Sequence, residues 1–265
     1  MIKLAVNGCL GRMGSEVVKA AYADKNIEVI GGVDRHATGT ETLGDKLNIK
    51  GLGAKIYPNL DDLVKNAKPD VIVDFTVPGA VMDNLRKCIA LNVTTVVGTT
   101  GIGKVELEEL TGLLKGKDIG CLIAPNFAIG AVLLMKFAAE AGKYFENVEI
   151  IEYHHNRKED YPSGTALKTA EGIAAASGKL YNQNTNDKVV KSEGARGADI
   201  SGIKVHSVRM PGFVAHEEVV FGGVGQALTL RHDSFNRESF MPGVVLSVQK
   251  YQQIKGLVYG LDKIL

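Results

Sequence analysis

The chain has 265 residues, 45% of them hydrophobic, and its 31 basic and 30 acidic side chains leave a formal net charge of +1. A chain of this length can bury a sizeable core in one large domain or two modest ones, and its balanced charge argues against a nucleic-acid or membrane-surface partner. Its three cysteines lack the spacing of a zinc site or a disulfide framework, and no apolar run reaches the roughly 20 residues that span a bilayer. We therefore expect a cytoplasmic protein with neither a signal peptide nor a transmembrane helix.

Residues 1 to about 126 alternate short β-branched segments with helical ones. Strands are predicted at residues 2–6, 27–33, 71–75, 94–97 and 119–124. Helices are predicted near residues 12–25, 60–66, 79–91 and 105–114. This alternation predicts an α/β fold, a Rossmann-type doubly wound parallel sheet.

After Pro125 the pattern changes and predicts a second, α+β domain. The predicted elements are, in chain order, a helix at 131–145, a long strand ending at His154, a helix starting at Ser163, a polar loop at 181–201, and strands at 204–209, 214–221 and 227–231. Short turns between the last three strands favour an antiparallel arrangement. The final stretch, residues 238–265, returns to helical periodicity and could pack against either part.

A glycine loop stands between the first strand and the first helix, where residues 7–14 read Asn-Gly-Cys-Leu-Gly-Arg-Met-Gly. In this variant of the dinucleotide fingerprint, Gly8 permits a tight turn, Gly11 lets backbone N–H groups approach a pyrophosphate, and Gly14 allows close packing of the helix. The loop alone could be a structural turn. However, Asp34 follows Gly14 by twenty residues, at the end of the second strand, where the fold needs an acid for the adenosine ribose.

The adjacent Arg35 leaves the choice of nucleotide open. Its guanidinium could pair with the 2′-phosphate of NADPH, whereas Asp34 could bond the free 2′-hydroxyl of NADH. We therefore expect use of both NADH and NADPH, with a slight preference for NADH. Later strand ends add polar turns to the same crevice, although each turn alone could be ordinary loop chemistry. The predicted cofactor-binding residues are Gly8, Gly11, Arg12, Met13, Gly14, Asp34, Arg35, Phe75, Thr76, Gly98, Thr99, Thr100, Pro125, Asn126 and Phe127.

A second candidate site lies at residues 154–165. His154 and His155 follow each other on a strand, so their side chains should point to opposite faces, and only one is expected to face the reaction centre. The helix that starts at Ser163 offers backbone N–H groups and, with Thr165, hydroxyls to a carboxylate, and Lys158 adds a positive charge. Either histidine could be structural, and the Ser163 motif alone could be a simple helix cap. Together with a nucleotide domain, the cluster favours hydride transfer to an anionic substrate.

Two other clusters carry weaker signals. His206, His216 and His232 lie in or beside the late strands without metal-type spacing, so we expect them to be structural and expect no metal site. The turn around Arg196 is expected to be solvated, with a substrate or subunit contact as the alternative.

These motifs resemble the dihydrodipicolinate reductase (4-hydroxy-tetrahydrodipicolinate reductase) family of bacterial lysine biosynthesis, and the resemblance extends along the whole chain. The similar segments are residues 8–14, 74–76, 97–101, 124–127, 154–165, 206–212 and 231–234. The most specific is the block in which two histidines are followed by a lysine and by Pro-Ser-Gly-Thr at 162–165.

The resemblance implies an NAD(P)H-dependent reduction of 4-hydroxy-tetrahydrodipicolinate, a dicarboxylate, to tetrahydrodipicolinate in the diaminopimelate route to lysine. It implies that His154 and Lys158 are catalytic, His154 being the general acid. Lys158 would also hold the substrate's carboxylates, together with His155, Ser163, Gly164 and Thr165.

The resemblance further implies a homotetramer. The expected dinucleotide-binding domain covers residues 1–126 and regains 239–265, and the expected substrate-binding and oligomerisation domain covers 127–238, on an open mixed sheet. The alternatives are a related two-domain NAD(P)-dependent amino-acid dehydrogenase and a non-catalytic nucleotide-sensing module.

Overall fold

The structure, a computed structural model, describes residues 1–186 and 188–265, and within them twelve strands and eight α-helices. The strands are β1 (Ile2–Asn7), β2 (Ile27–Val33), β3 (Lys55–Tyr57), β4 (Val71–Asp74), β5 (Thr94–Val97), β6 (Gly120–Ile123), β7 (Asn147–His154), β8 (Ala198–Ile200), β9 (Ile203–Arg209), β10 (Ala215–Gly223), β11 (Gln226–Ser234) and β12 (Gly256–Tyr259). The helices are α1 (Gly14–Ala23), α2 (Leu43–Leu47), α3 (Leu60–Ala67), α4 (Pro78–Ala90), α5 (Lys104–Leu114), α6 (Ile129–Gly142), α7 (Gly164–Ser177) and α8 (Met241–Gln249). None of these described helices is long and apolar enough to cross a membrane.

The chain forms two compact units. The first consists of Met1–Phe127 and Arg237–Leu265, and the second of Ala128–Asn236. The seven strands of the first unit form one parallel sheet in the order β12-β6-β5-β4-β1-β2-β3. The strand order reverses between β1 and β4, so their carboxyl ends flank the switch point where doubly wound sheets bind ligands.

Short apolar runs build the first sheet because its strands are covered on both faces. Val71, Ile72 and Val73 of β4 are all fully buried, as expected for a central parallel strand. Ile72 packs with Leu63 of α3 in one core cluster, and a second cluster joins residues of α4 and α5 to β5 and β6. This frame holds the loops at the carboxyl ends of the strands.

The second unit contains a mixed sheet in the order β11-β10-β7-β9-β8. The central strand β7 runs parallel to β9 and antiparallel to β10. Alternate residues of β7 point to opposite faces, so Val148, Ile150 and Glu152 are buried on the face covered by α6 and α7. The opposite face carries Ile151 and Tyr153, which are half-buried. Both sheets agree with the predicted fold class, an α/β Rossmann-type sheet with a second unit on an open mixed sheet.

Several elements differ from the sequence predictions. Residues 256–259, predicted as helical, form the edge strand β12, in which Leu257 pairs with Cys121 of β6. Strand β8 lies inside the predicted polar loop 181–201, of which residue 187 is outside the described residues. Strands β9, β10 and β11 do alternate in direction, as predicted, with β7 lying between β9 and β10. A run of three or four residues is too short to show the period-2 pattern that identifies a strand.

Candidate functional site

The glycine loop connects β1 to α1 at the switch point. Gly8 has a positive φ of 79°, and Gly11 N–H donates to its carbonyl at 2.9 Å. A Cβ on Gly14 would lie 2.1 Å from the Gly8 carbonyl oxygen, so the first turn of α1 closes on the loop only with glycine at this position. Gly11 and Arg12 are exposed and Met13 is half-buried, so the outer side of the loop is available to a ligand.

The acid after β2 lies in a turn of its own. Asp34 is half-buried, and its Oδ1 accepts a hydrogen bond from the His36 amide at 3.1 Å. The neighbouring Arg35 is exposed and donates from Nε to His36 Nε2 at 3.0 Å. A hydroxyl acceptor and an exposed cation therefore stand side by side at the end of β2.

A buried carboxylate, Asp74, connects the strand ends on the other side of the switch point. Its oxygens accept hydrogen bonds from the side-chain amides of Asn7 at 2.8 Å and Asn84 at 2.9 Å. They also accept from the Thr76 hydroxyl at 2.7 Å and the Thr99 hydroxyl at 2.8 Å. This single side chain fixes the ends of β1, β4 and β5 relative to one another, and with them the predicted cofactor residues Thr76 and Thr99.

Aromatic rings form the apolar part of the same edge. The rings of Phe75 and Phe127 lie 5.9 Å apart at 54°. A Cβ on Gly98 would lie 2.0 Å from the Phe75 ring, so a glycine is required for the ring to occupy this place. Thr100, two residues after Gly98, is exposed. Before Phe127, Pro125 is exposed and Asn126 is half-buried. The structure thus brings the fifteen predicted cofactor residues to the carboxyl edge of one sheet.

In the second unit, the start of α7 is a capped helix. Ser163 is buried, and its Oγ accepts from the Ala166 amide at 3.2 Å. Gly164 and Thr165 occupy the first two helical positions, whose N–H groups have no carbonyl partner within the helix. The Ser163 hydroxyl is therefore used in the helix cap. The backbone amides of Gly164 and Thr165 and the Thr165 hydroxyl remain suited to an anion.

His154 ends β7 in contact with a buried glutamate. Its Nδ1 lies 2.5 Å from Oε2 of Glu152, which is fully buried. Arg209 donates to both oxygens of the same carboxylate, at 2.7 and 2.9 Å. Burial opposes ionisation of Glu152, but the hydrogen bonds from His154 and Arg209 outweigh it and lower its pKa to about 2. Glu152 is therefore an anion at neutral pH.

The other predicted carboxylate ligands lie in the loop that follows. His155 is exposed, just beyond the end of β7, and its carbonyl accepts from the Lys158 amide at 3.1 Å. Lys158 Nζ pairs with Asp160 at 2.7 Å, and this contact lowers the pKa of Asp160. Any anion that binds Lys158 would therefore compete with Asp160.

A second buried glutamate lies opposite Glu152. Glu217 of β10 is paired with Glu152 in the strand register, and its carboxyl contacts the Thr169 hydroxyl at 2.5 Å. Burial, together with the nearby Glu152 charge, raises the pKa of Glu217 to about 7. Thr169 Oγ1 donates to Glu217 Oε1, which partly offsets this rise in the pKa, and the same hydroxyl lies 3.0 Å from the Thr165 carbonyl oxygen.

Two family models match nearly the whole chain. The one described as dihydrodipicolinate reductase, N-terminus, matches residues 2–127, and the one described as dihydrodipicolinate reductase, C-terminus, matches residues 130–265. The chain belongs to the dihydrodipicolinate reductase family.

Individual relatives agree with this assignment. The 4-hydroxy-tetrahydrodipicolinate reductase of Syntrophomonas wolfei is 49% identical over 99% of this chain and 98% of its own. That of Listeria welshimeri is 47% identical over the full length of both. A dipicolinate-bound dihydrodipicolinate reductase from Paenisporosarcina sp. TG-14 has a TM-score of 0.89 and 45% identity, and the match covers both chains completely. These relatives confirm the predicted family, fold and enzyme class, a reductase.

A more distant structure shares the fold alone. An amine dehydrogenase from Mycobacterium smegmatis has a TM-score of 0.69 at 14% identity, covering 98% of this chain and 95% of its own. The fold is therefore common to several kinds of dehydrogenase, and the family is decided by the full-length sequence matches.

Two residues that hold the candidate site together were not singled out from the sequence. Asp74 appeared only as part of a family motif, and Glu152 only as a strand residue. For Glu152 a signal exists, because it shares the alternation of the apolar residues Val148 and Ile150 and so must face the core. A glutamate on the buried face of a strand that leads into two histidines indicates a charged partner nearby.

The remaining histidines have protein partners or are at least half-buried, and the cysteines are buried. His206 contacts Glu149 at 2.8 Å, and His216 contacts Asp233 at 2.7 Å. Burial lowers the pKa of His232. Among residues 1–186 and 188–265, no group of three or more His, Cys, Asp or Glu side chains is arranged to hold a metal ion. Burial raises the pKa of the Cys9 and Cys121 thiols to about 12.

Proposed function

We propose that the chain is the NAD(P)H-dependent 4-hydroxy-tetrahydrodipicolinate reductase that forms tetrahydrodipicolinate in the diaminopimelate route to lysine. The observation that carries this proposal is the arrangement at residues 152–165. An imidazole held by a buried carboxylate precedes a helix start that suits a carboxylate. In addition, a full-length relative was solved with dipicolinate bound, a planar dicarboxylate of the same skeleton.

The first unit is proposed to bind the nicotinamide nucleotide. The glycine loop, with Gly14 closed on Gly8, leaves exposed backbone for the pyrophosphate, and Asp34 can accept from a ribose hydroxyl. Thr76 and Thr99, fixed by Asp74, are proposed to line the nicotinamide end of the same edge. When bound, the reduced nucleotide supplies the hydride.

The second unit is proposed to hold the two carboxylates of the substrate. The amides of Gly164 and Thr165, at the positive end of the α7 dipole, and the Thr165 hydroxyl would bind one carboxylate. Lys158 and His155 would contribute positive charge and a further donor. Ser163 is proposed to act through its cap, which holds the N-terminal turn in the geometry that presents these donors.

His154 is proposed to supply the proton. Because the ionised Glu152 only accepts hydrogen bonds, Nδ1 of His154 must carry a hydrogen, and Nε2 is then the group that can protonate a substrate carbon. The ring carbon next to the hydride acceptor becomes electron-rich as the hydride arrives, and the imidazolium protonates it. Holding both carboxylates in place orients the planar ring for this transfer, which contributes much of the acceleration.

Both NADH and NADPH are proposed to support turnover, because Asp34 suits a ribose hydroxyl and Arg35 suits a phosphate. We expect Asp34→Ala to lower kcat/KM with NADH by about tenfold or more, the loss expected for a charge-assisted hydrogen bond, and to affect NADPH less. Steady-state kinetics with each nucleotide measure this ratio. An unchanged ratio would remove Asp34 from the ribose site, and inactivity of the wild type with NADH would contradict dual use.

We also propose a cytoplasmic homotetramer. The half-buried face of the second sheet, which carries Ile151 and Tyr153, is a suitable surface for contact between sheets of different subunits. The buried, unpaired thiols of Cys9, Cys88 and Cys121 fit a reducing compartment.

The decisive test is oxidation of NADH or NADPH followed at 340 nm with enzymatically generated 4-hydroxy-tetrahydrodipicolinate. We expect turnover with this substrate, inhibition by dipicolinate, and no oxidation with 2-oxo acids plus ammonia. Turnover only with the oxo acids would favour an amino-acid dehydrogenase. Tight nucleotide binding without any turnover would favour a nucleotide-sensing module.

A further inference from the structure

Glu152 is the centre of a buried polar cluster that connects three elements of the second unit. Its carboxylate accepts from His154 on its own strand and from Arg209 on β9, as described above. It also accepts from the backbone amide of Ser163 at 3.2 Å, the residue that caps α7. One carboxylate thus contacts the proposed proton donor and the start of the proposed carboxylate-binding helix.

Two basic side chains, His154 and Arg209, share this carboxylate. Arg209 lies directly opposite His154 in the parallel register of β7 and β9, so its positive charge disfavours a second cation there. Glu152 lies against both groups, and its single negative charge attracts both. A buried ion without its partner is costly, and removing this carboxylate would leave Arg209 and the His154 ring without their shared acceptor.

The other titratable groups around the cluster are weaker influences. Glu217 faces Glu152 from β10, but its carboxyl reaches Thr169 and has a raised pKa that keeps much of it neutral near pH 7. In the loop after β7, Lys158 and Asp160 largely compensate each other. His155, the remaining neighbour, is exposed to solvent.

We propose that Glu152 is a positioning residue for proton transfer, which fixes His154 with a hydrogen on Nδ1 and stabilises its imidazolium so that Nε2 donates to the substrate. The role of this proton in catalysis rests on the proposed function. The position of the hydrogen on Nδ1 of His154 does not. Through the Ser163 amide, the same carboxylate also sets the spacing between the proton donor and the N-terminal turn of α7.

The kinetic test compares Glu152→Gln with the matched control Glu217→Gln, since both residues are buried glutamates at paired positions of neighbouring strands. A general acid must be protonated, so kcat/KM falls as pH rises through its titration. Without the Glu152 charge the imidazolium forms less readily, and the alkaline limb of the E152Q profile should move to lower pH by about one unit or more. We expect kcat at pH 7 to fall about 10–100-fold with a smaller change in KM, because acid catalysis is worth about 10²–10⁴-fold in total.

The alkaline limb of the E217Q pH profile should stay closer to that of the wild type, because the Glu217 carboxyl does not contact His154. An E152Q profile with the wild-type alkaline limb, or equal displacement in both variants, would overturn the proposal. A purely structural role would lower the fraction of active enzyme without moving the limb.

A second measurement needs neither turnover nor the Glu152 variant. Nitrogen-15 NMR of the imidazoles in the full wild-type chain, with His154→Gln to assign the signal, reports which nitrogen carries the hydrogen. In the neutral form of His154 we expect it on Nδ1. A hydrogen on Nε2 instead would overturn the proposal, even if the enzyme reduces its substrate. Conversely, an Nδ1–H tautomer in a protein without reductase activity would leave the tautomer assignment standing and contradict the proposed function.

Discussion

His154 and His155 are adjacent in the sequence but lie in different surroundings. His154 is held by Glu152 at the end of β7, and His155 is exposed in the loop beyond. We expect His154→Gln to lower kcat about 10²–10⁴-fold with little change in KM, because an acid acts mainly in the transition state. His155→Gln should instead raise KM, since this side chain is proposed to hold a carboxylate.

Steady-state kinetics at saturating nucleotide separate the two effects, and circular dichroism checks that each variant is folded. The reverse pattern would assign the acid to His155. If neither variant loses activity, the proton comes from water or Lys158.

Lys158 and Thr165 are expected to bind the substrate without affecting the nucleotide. Loss of a charge-assisted partner at a carboxylate costs about 1.5–3 kcal/mol, which weakens binding about 10–150-fold. Calorimetry with dipicolinate should show this loss for Lys158→Ala and a comparable or smaller one for Thr165→Ala, with NADH affinity nearly unchanged. The control is Lys143→Ala, at the C-terminal end of α6, where Lys143 pairs with Glu140. Unchanged dipicolinate affinity in both variants would place the acid site elsewhere.

At the scale of elements, the sequence predicts those parts of the fold whose pattern is long enough to read. The strands that became β1, β2, β4 and β5 were predicted because β-branched runs alternate with helical stretches. The short strand β12 could not be predicted, because four residues at a sheet edge form by pairing with β6. The end of strand β8 did have a signal in the sequence, the dipeptide Ser201-Gly202, which is typical of a turn. In the structure both residues have positive φ and form the two-residue turn of a hairpin to β9.

The candidate site was predictable where the chemistry is local. The glycine loop and the start of α7 are continuous motifs, so their residues could be read directly from the sequence. Asp74 and Glu152 exert their effects through residues that are distant in sequence, such as Asn7 and Arg209. Such contacts depend on strand order and register, which no local pattern contains.

The burial of Glu217 on β10, opposite Glu152 on β7, predicts an unusual dependence of the folding stability on pH. The pKa of Glu217 rises from 4.5 to about 7 on folding. Below pH 4.5 this carboxyl is protonated in both states. Between pH 4.5 and 7 only the unfolded chain loses the proton, so the stability contribution of Glu217 decreases as pH rises and then levels off.

Glu217→Gln removes this titration. Relative to the wild type, E217Q should therefore gain up to about 3 kcal/mol between pH 4.5 and 7, since one pKa unit corresponds to about 1.4 kcal/mol. Urea unfolding at fixed protein concentration measures the difference across this range. The control is Glu218→Gln, the next residue on β10, which pairs with Arg231 on the opposite face. A pH-independent difference between wild type and E217Q would contradict the raised pKa.

At the scale of the whole molecule, the half-buried face of the second sheet is the surface that association would cover. Ile151 lies at its centre, in register with His206 of β9 and Glu218 of β10. Ion pairs cross the same face, including Arg231 with Glu218 at 2.8 Å, and the Arg231 guanidinium lies 5.6 Å from the Tyr153 ring centroid. A face of this mixed character is typical of subunit interfaces, where arginine and tyrosine are enriched.

We therefore expect light scattering to give the mass of four 28.3 kDa chains for the wild type. Ile151→Lys should shift the mass towards that of dimers or monomers, because two-fold contacts would bring the new lysines of facing sheets together and bury their charge. The control is Val105→Lys on α5, where the valine is 74% exposed in the first unit. Dipicolinate binding by I151K would show that the second unit remains folded. A tetramer that survives I151K with unchanged concentration dependence would place the subunit interface on another surface, and a monomeric wild type would contradict the proposed assembly.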